Sequence, residues 1–156
     1  MHRRATMKKW WGSLLMVTAL AVVMAACQPA ASGPQITVEG VWGRTSPMVA
    51  DAGAFYLIIK NTGSAADKLI GAKSDACGMT ELHETVAGSG GMMEMRPVAG
   101  QSIEIPVGSS VELKPGGLHV MCMMKKADFN AGDKIQITLT FEKSGEKIVE
   151  AEIRSQ

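Results

Sequence analysis

An antiparallel β-sandwich or barrel is the fold class this sequence predicts, and three observations predict it. Apolar residues recur with period two along short runs. Turn residues interrupt those runs at close intervals, and no helical periodicity is sustained over three turns. About ten such strands fit the chain, and strands with one apolar face must stack or close to bury it.

The strands follow in order. Residues 36–42 alternate through Ile36, Val38 and, after Gly40, Trp42. Residues 53–60 carry the aromatic and branched run FYLII, which Asn61, Thr62 and Gly63 stop. Residues 67–72 and 80–87 are the third and fourth strands, the latter holding His83. Between it and the returning strand 92–98 lies GSGG (88–91), a hairpin loop because glycine turns tightly without steric cost. Strands at 102–105 and 110–113 flank the turn Pro106-Val107-Gly108, and Pro115-Gly116-Gly117 leads into 118–125 with His119. Residues 134–142 alternate cleanly through Ile135, Ile137, Leu139 and Phe141, and the turn 143–146 returns them into 148–153. Only 127–132 has the composition of a helical turn.

The N-terminal part reads as an export leader, residues 1–26. Arg3, Arg4, Lys8 and Lys9 precede an uncharged apolar stretch from Trp10, which closes on Ala25-Ala26 before Cys27. A small-residue pair before cysteine resembles a bacterial lipobox, with Met24 standing where leucine is usual. Cys27 is then the lipidated first residue of the mature chain, and the protein is extracytoplasmic, held on the membrane by lipid. An ordinary cleaved signal peptide or a single membrane anchor is the alternative. Residues 27–34 form a Pro/Ala/Gly/Ser tether with nothing to bury, and 35–156 have the size of one domain.

Charge excludes one class of partner. Four of the 16 Lys/Arg lie in the leader and none of the 15 Asp/Glu does, leaving 12 against 15, a formal −3. No basic block survives, which argues against nucleic acid. Nor is the chain expected to be an enzyme. There is no Gly-x-Ser-x-Gly elbow and no His-Glu-x-x-His, and Glu81 and Glu84 read as a solvated strand edge rather than an acid–base pair. Lys125 and Lys126 read as surface charges, or as steering groups for an acidic partner.

With Cys27 assigned to lipid, Cys77 and Cys122 remain as an even pair in an oxidising compartment, where a disulfide is expected. The competing reading makes one thiolate a copper ligand, at the cost of ready oxidation.

The chemistry-bearing residues are the two histidines outside the leader and the methionines around them. Seven of the eight methionines beyond the leader fall within 79–95 or 121–124, flanking His83 and His119. A lone strand methionine ordinarily fills a core gap, but core packing gives no reason for that coincidence. Imidazole nitrogen with thioether sulfur suits a soft ion, above all Cu(I). Strand side chains at i and i+2 share a face, about 6.5–7 Å apart, so His119 and Met121 project together, with Met123 next. Met93 and Met95 share a face by the same rule. Cys122 falls on the opposite face from His119 and Met121, beneath them.

Together these residues resemble the periplasmic copper chaperone family PCu(A)C. Its pattern is a His, a Met about eleven residues on, and His-x-Met some twenty residues later. The likeness runs through WGRTSP (42–47), AFYLIIKN (54–61), ELHE (81–84), MRPV (95–98) and VELKPGGLHVM (111–121). By position it implies His83, Met95, His119 and Met121 as the copper ligands. Here Met95 lies twelve residues after His83, and His119 lies twenty-four after Met95. One extra residue in the 88–91 loop and one near Gly100 and Gln101 account for both, since turns accept insertions. The loop change leaves Met93 as a substitute for Met95, with Met92 beside it. The resemblance further implies a cupredoxin-like β-sandwich of Greek-key topology. Such a domain binds Cu(I) and delivers it to an acceptor, a cytochrome oxidase copper centre or another copper chaperone, and is expected to be a monomer.

Two other readings compete. A blue-copper electron carrier needs a thiolate with two histidines and an axial methionine, and no histidine follows Cys122. A metal-free lipoprotein module would use its methionine-rich surface to bind a partner.

Overall fold

The computed structural model describes residues 33–47 and 49–155. The leader, Cys27 and nearly all of the tether lie outside the described residues.

Ten strands form. They are β1 (Ile36–Thr45), β2 (Ala52–Asn61), β3 (Asp67–Lys73), β4 (Cys77–Ala87) and β5 (Met93–Pro97), then β6 (Ile103–Ile105), β7 (Ser110–Leu113), β8 (His119–Lys125), β9 (Lys134–Phe141) and β10 (Gly145–Ile153). Residues 127–132 hold turns and no helix. Phe129 within them is instead a core plug, its ring 5.4 Å from that of Phe55. It lies over Gly53, where a Cβ would meet the ring at 2.5 Å, so no larger residue fits that point of β2. The last strand begins at Gly145 rather than Ile148, because pairing with β9 starts directly after the turn.

Hydrogen bonding runs in the order β5-β4-β8-β2-β1-β10-β9-β3-β6, with β7 pairing β2 on the edge that β8 also uses. Among the described residues every pair is antiparallel except β1 with β10. The path folds over on itself. Leu57, Leu82 and Val120 on one side share a core with Leu69, Ile105, Leu139 and Phe141 on the other. Burying each such side chain fully is worth about 1.5–3 kcal/mol. The antiparallel sandwich that the alternation predicts is thus the fold.

The buried Asn61 and Asp67 side chains inside this frame are hydrogen-bonded, as most buried polar groups are. The Asn61 amide accepts from the N–H of Gln35 and Gly63 and donates to the Ala65 carbonyl. The Asp67 carboxylate accepts from the backbone N–H of Lys68, Lys143 and Ser144, which ties β3 to the β9–β10 turn. Cys77 and Cys122 form a disulfide, their Cα atoms 5.4 Å apart, within the core between β4 and β8. The Thr80 hydroxyl crosses from β4 to donate to the Ala72 carbonyl of β3.

Where β5 ends, a side chain continues its pairing. Gln101, in the left-handed region at φ 49°, accepts from the Leu82 N–H at 2.8 Å and donates to the Leu82 carbonyl at 3.1 Å. It does for β4 what another strand residue would do.

Candidate metal site

The β4–β8 ladder positions the site. Its register pairs His83 with His119, Leu82 with Val120, Glu81 with Met121, Thr80 with Cys122 and Met79 with Met123. Leu82, Val120 and Cys122 are fully buried in the core. The alternating residues therefore point to the other face, which carries both histidines and Met121. Strand periodicity, with one apolar face committed to the core, fixes this display.

The two imidazoles face each other edge-on, ring centroids 5.8 Å apart. His119 is 3% exposed and Met121 9%, while the His83 side chain is 12% exposed. Each ring has one nitrogen committed. His119 Nδ1–H donates to the Gly117 carbonyl at 3.0 Å, because a carbonyl only accepts. His83 Nε2–H donates to Glu81 Oε2 at 2.9 Å. The remaining nitrogens, His83 Nδ1 and His119 Nε2, are buried without a hydrogen-bond partner. Burial lowers the His119 pKa below its ordinary value, and nearby His83 and Arg44 add to this. The bond to Gly117 opposes it without reversing it. At neutral pH Nε2 of His119 therefore carries a free lone pair.

The third strand of the site is β5. Pro97 pairs with His83, Met95 with Thr85 and Met93 with Ala87. Met95 is thus a diagonal neighbour of His83 on the same face, a relationship that spans about 7–8 Å and is within reach of a long side chain. Met93 is two pairs further along the ladder. Met92 precedes β5, its carbonyl accepting from Gly88 N–H. Met95 is 47% exposed, Met93 63% and Met92 75%. The loop before them is a tight 3-10 turn with Gly90 and Gly91 at positive φ, which is why glycines occupy it. The arrangement is asymmetric, with a buried His119–Met121 side and an open Met95 side.

Among the described residues no three His, Cys, Asp or Glu side chains converge on one point. The donors that the register brings to this face are two imidazole nitrogens and the thioether of Met121, with Met95 at its edge, residue types that suit a soft ion. Both remaining cysteines are in the disulfide, so neither offers a thiolate.

Several neighbours were not legible in the sequence. Glu81 is not a solvated edge residue but the partner of His83. Glu84 does behave as expected, paired with Arg96 at the surface. Tyr56 of β2 sits beside His119, centroids 6.2 Å apart, and stacks on Trp42 at 4.5 Å. The Arg44 guanidinium lies over Tyr56 and that of Arg154 over Trp42. Lys125 is at the far end of β8, six residues and roughly 20 Å from His119. Its ammonium lies over Phe129 instead.

Solved structures share this fold. The copper-bound PCuAC domain from PmoF2 matches with a TM-score of 0.64 and 28% identity, covering 81% of this chain and 97% of that one. The apo PCuAC domain from PmoF1 matches with a TM-score of 0.65 and 25% identity, covering 80% and 100%. The Cu(I) form of DR1885 from Deinococcus radiodurans matches at 0.56 and 26%, covering 87% and 85%. The sandwich is accordingly the cupredoxin-like fold of PCuAC domains. In sequence, "Putative lipoprotein Lxx21020" of Leifsonia xyli subsp. xyli (strain CTCB07) is 40% identical over 111 residues. That match covers 71% of this chain and 63% of the relative, so the chain spans under two thirds of its length. "Uncharacterized protein RP573" of Rickettsia prowazekii (strain Madrid E) is 34% identical over 100 residues, 64% of this chain and 54% of that protein. A family model described as "Putative lipoprotein LpqE-like" matches residues 36–153, and the chain belongs to that LpqE-like family.

Proposed function

We propose that this domain is an extracytoplasmic copper chaperone that binds Cu(I) through His83 Nδ1, His119 Nε2 and the thioethers of Met121 and Met95. The observation that carries this reading is the pair of opposed, buried ring nitrogens without partners. Leaving such groups unpaired costs about 1–3 kcal/mol each, a cost recovered when an ion binds both. The copper-bound PmoF2 domain and Cu(I)-DR1885 support copper as that ion.

The donor set also supports carriage rather than catalysis. Imidazole and thioether bind without adding negative charge, so the site stays a +1 centre that favours monovalent copper. Met95 on the open side lets an acceptor's ligands approach while His119 and Met121 still hold the ion. Exchange to a thiolate-rich acceptor is then downhill. The acceptor we favour is a cytochrome oxidase copper centre or another copper chaperone, reached by a lipid-anchored monomer tethered through Cys27.

Equilibrium dialysis with Cu(I) under reducing conditions tests the reading. We expect one tightly bound ion, lost in His83→Ala and in His119→Ala. Undiminished binding in both variants refutes it and leaves the metal-free interaction module. A strong absorption near 600 nm in the oxidised protein would instead indicate a thiolate-copper centre.

A further inference from the structure

The outward-facing row of β4 and β8 does not end at Glu81 and Met121. The next rung pairs Met79 directly with Met123, on the same face. Directly opposed Cβ atoms are about 4.5–5.5 Å apart and same-face neighbours along a strand about 6.5–7 Å. Three thioethers, Met79, Met121 and Met123, therefore occupy two adjacent rungs. Each has three rotatable bonds with which to converge.

Packing does not account for this trio. Met79 is 45% exposed and Met123 only half-buried, so neither fills a core gap. The neighbouring Met124 behaves differently. It takes a positive φ of 51° and folds its side chain over Gly78, where a Cβ would meet Met124 Cβ at 2.8 Å. Met124 is thus turned aside while Met79 and Met123 stay in line with the histidines. Beneath the row, the Cys77–Cys122 disulfide ties together the two strands that carry it. The spacing of the trio is therefore a property of a braced ladder rather than of a mobile surface.

We propose that Met79, Met121 and Met123 form a second, weaker soft-ion site, and that Cu(I) moves between it and the histidine site. Met121 is the ligand common to both. The proposal rests on the Cu(I) reading above. The step is a ligand exchange with no redox change: two imidazole–copper bonds and the Met95 thioether–copper bond break, bonds to the Met79 and Met123 thioethers form, the Met121 bond is kept, and the ion remains +1 throughout. No proton is needed on the thioethers. Lacking imidazole and standing more open to water, the trio holds the ion less firmly. An acceptor can then take copper there without displacing both histidines at once.

The test uses protein labelled with 13C at the methionine methyls, titrated with Ag(I) as a redox-silent probe of soft-ion sites. The first equivalent is expected to shift the His83 and His119 ring resonances with the Met121 methyl. The second is expected to shift Met79 and Met123. In the double variant His83→Ala/His119→Ala, the first equivalent should shift Met79, Met121 and Met123 together. Met79→Leu/Met123→Leu, which keeps the apolar volume, should lose the second equivalent and retain the first. The proposal is overturned if Met79 and Met123 move no more than Met124, or if the Leu variant still takes up a second ion. Failure of the first equivalent to reach the histidine rings refutes the chaperone reading instead, so the two failures are distinct.

Discussion

His83 and His119 are direct cross-strand partners that use different ring atoms: the carboxylate of Glu81 takes Nε2 of one, and the Gly117 carbonyl takes Nδ1 of the other. The free nitrogens are therefore Nδ1 on His83 and Nε2 on His119. A ligating histidine is oriented by whatever its second nitrogen bonds.

Glu81 accordingly sets the His83 ring. Glu81→Ala should leave the fold intact and lower Cu(I) affinity about 10–100-fold, the usual cost of losing such a partner. Competition against a Cu(I) chelator measures it. Nitrogen-15 shifts of the His83 ring should show the Nε2–H tautomer in the parent and a mixture in the variant.

Register separates the methionines of β5. Met95 stands two pairs along the ladder from His83 and Met93 four. Met95→Leu should weaken Cu(I) binding by about tenfold, equivalent to about 1.4 kcal/mol, whereas Met93→Leu should leave it near the parent value. The reverse order in the same competition assay would reassign the ligand.

Burial keeps His119 neutral in the fold, lowering its pKa from 6.5. The unfolded chain protonates that ring near its ordinary value and so binds more protons as pH falls below it. Stability of the apo protein should therefore decline from about pH 6.5 downward, through the window ending at the lowered pKa. Urea midpoints at pH 7.5 and 5.5 should differ more in the parent than in His119→Gln.

At Asp67 burial pushes the carboxyl up, but bonds from Ser144, Lys143 and Lys68 outweigh it and the net pKa lies below 3.8. Its contribution is present above the unfolded value and is lost as pH falls through the lowered one. Asp67→Ala leaves backbone N–H groups unpaired and should cost about 1–3 kcal/mol at neutral pH, seen as a lower urea midpoint with Cu(I) affinity retained.

Replacing Cys77 and Cys122 by alanine opens a loop with a sequence separation of 45. The expected loss is about 2–4 kcal/mol, read in denaturant. Cu(I) binding under conditions where the variant is folded should persist, since both sulfurs face the core.

Alternation made most of the strands readable, because each commits one face to the core. It failed at the start of β10, where Glu146 and Lys147 are polar and carry no apolar signal although they pair with β9. His119 and Met121 were readable because they share one strand. Placing Met95 required the β4–β5 register, which the 88–91 loop sets and the sequence leaves open. Glu81 offered the same two-residue spacing to His83 that linked His119 to Met121, and it was the signal that charge alone obscured. Tyr56, Trp42 and Gln101 reach the site through long-range pairing of β2, β1 and the segment after β5. No local pattern announces that.

The amide of Gln101 has a final consequence. β5 is the outermost strand on that side of the sheet, and it is short and ends at Pro97, which has no N–H to offer. Just past it, Gln101 occupies both hydrogen-bonding groups of Leu82, the residue before His83. A strand from another molecule cannot dock on the backbone there. The border beside His83 is thus closed to edge-to-edge pairing at that point, leaving side chains, not backbone, as the means by which other proteins engage it.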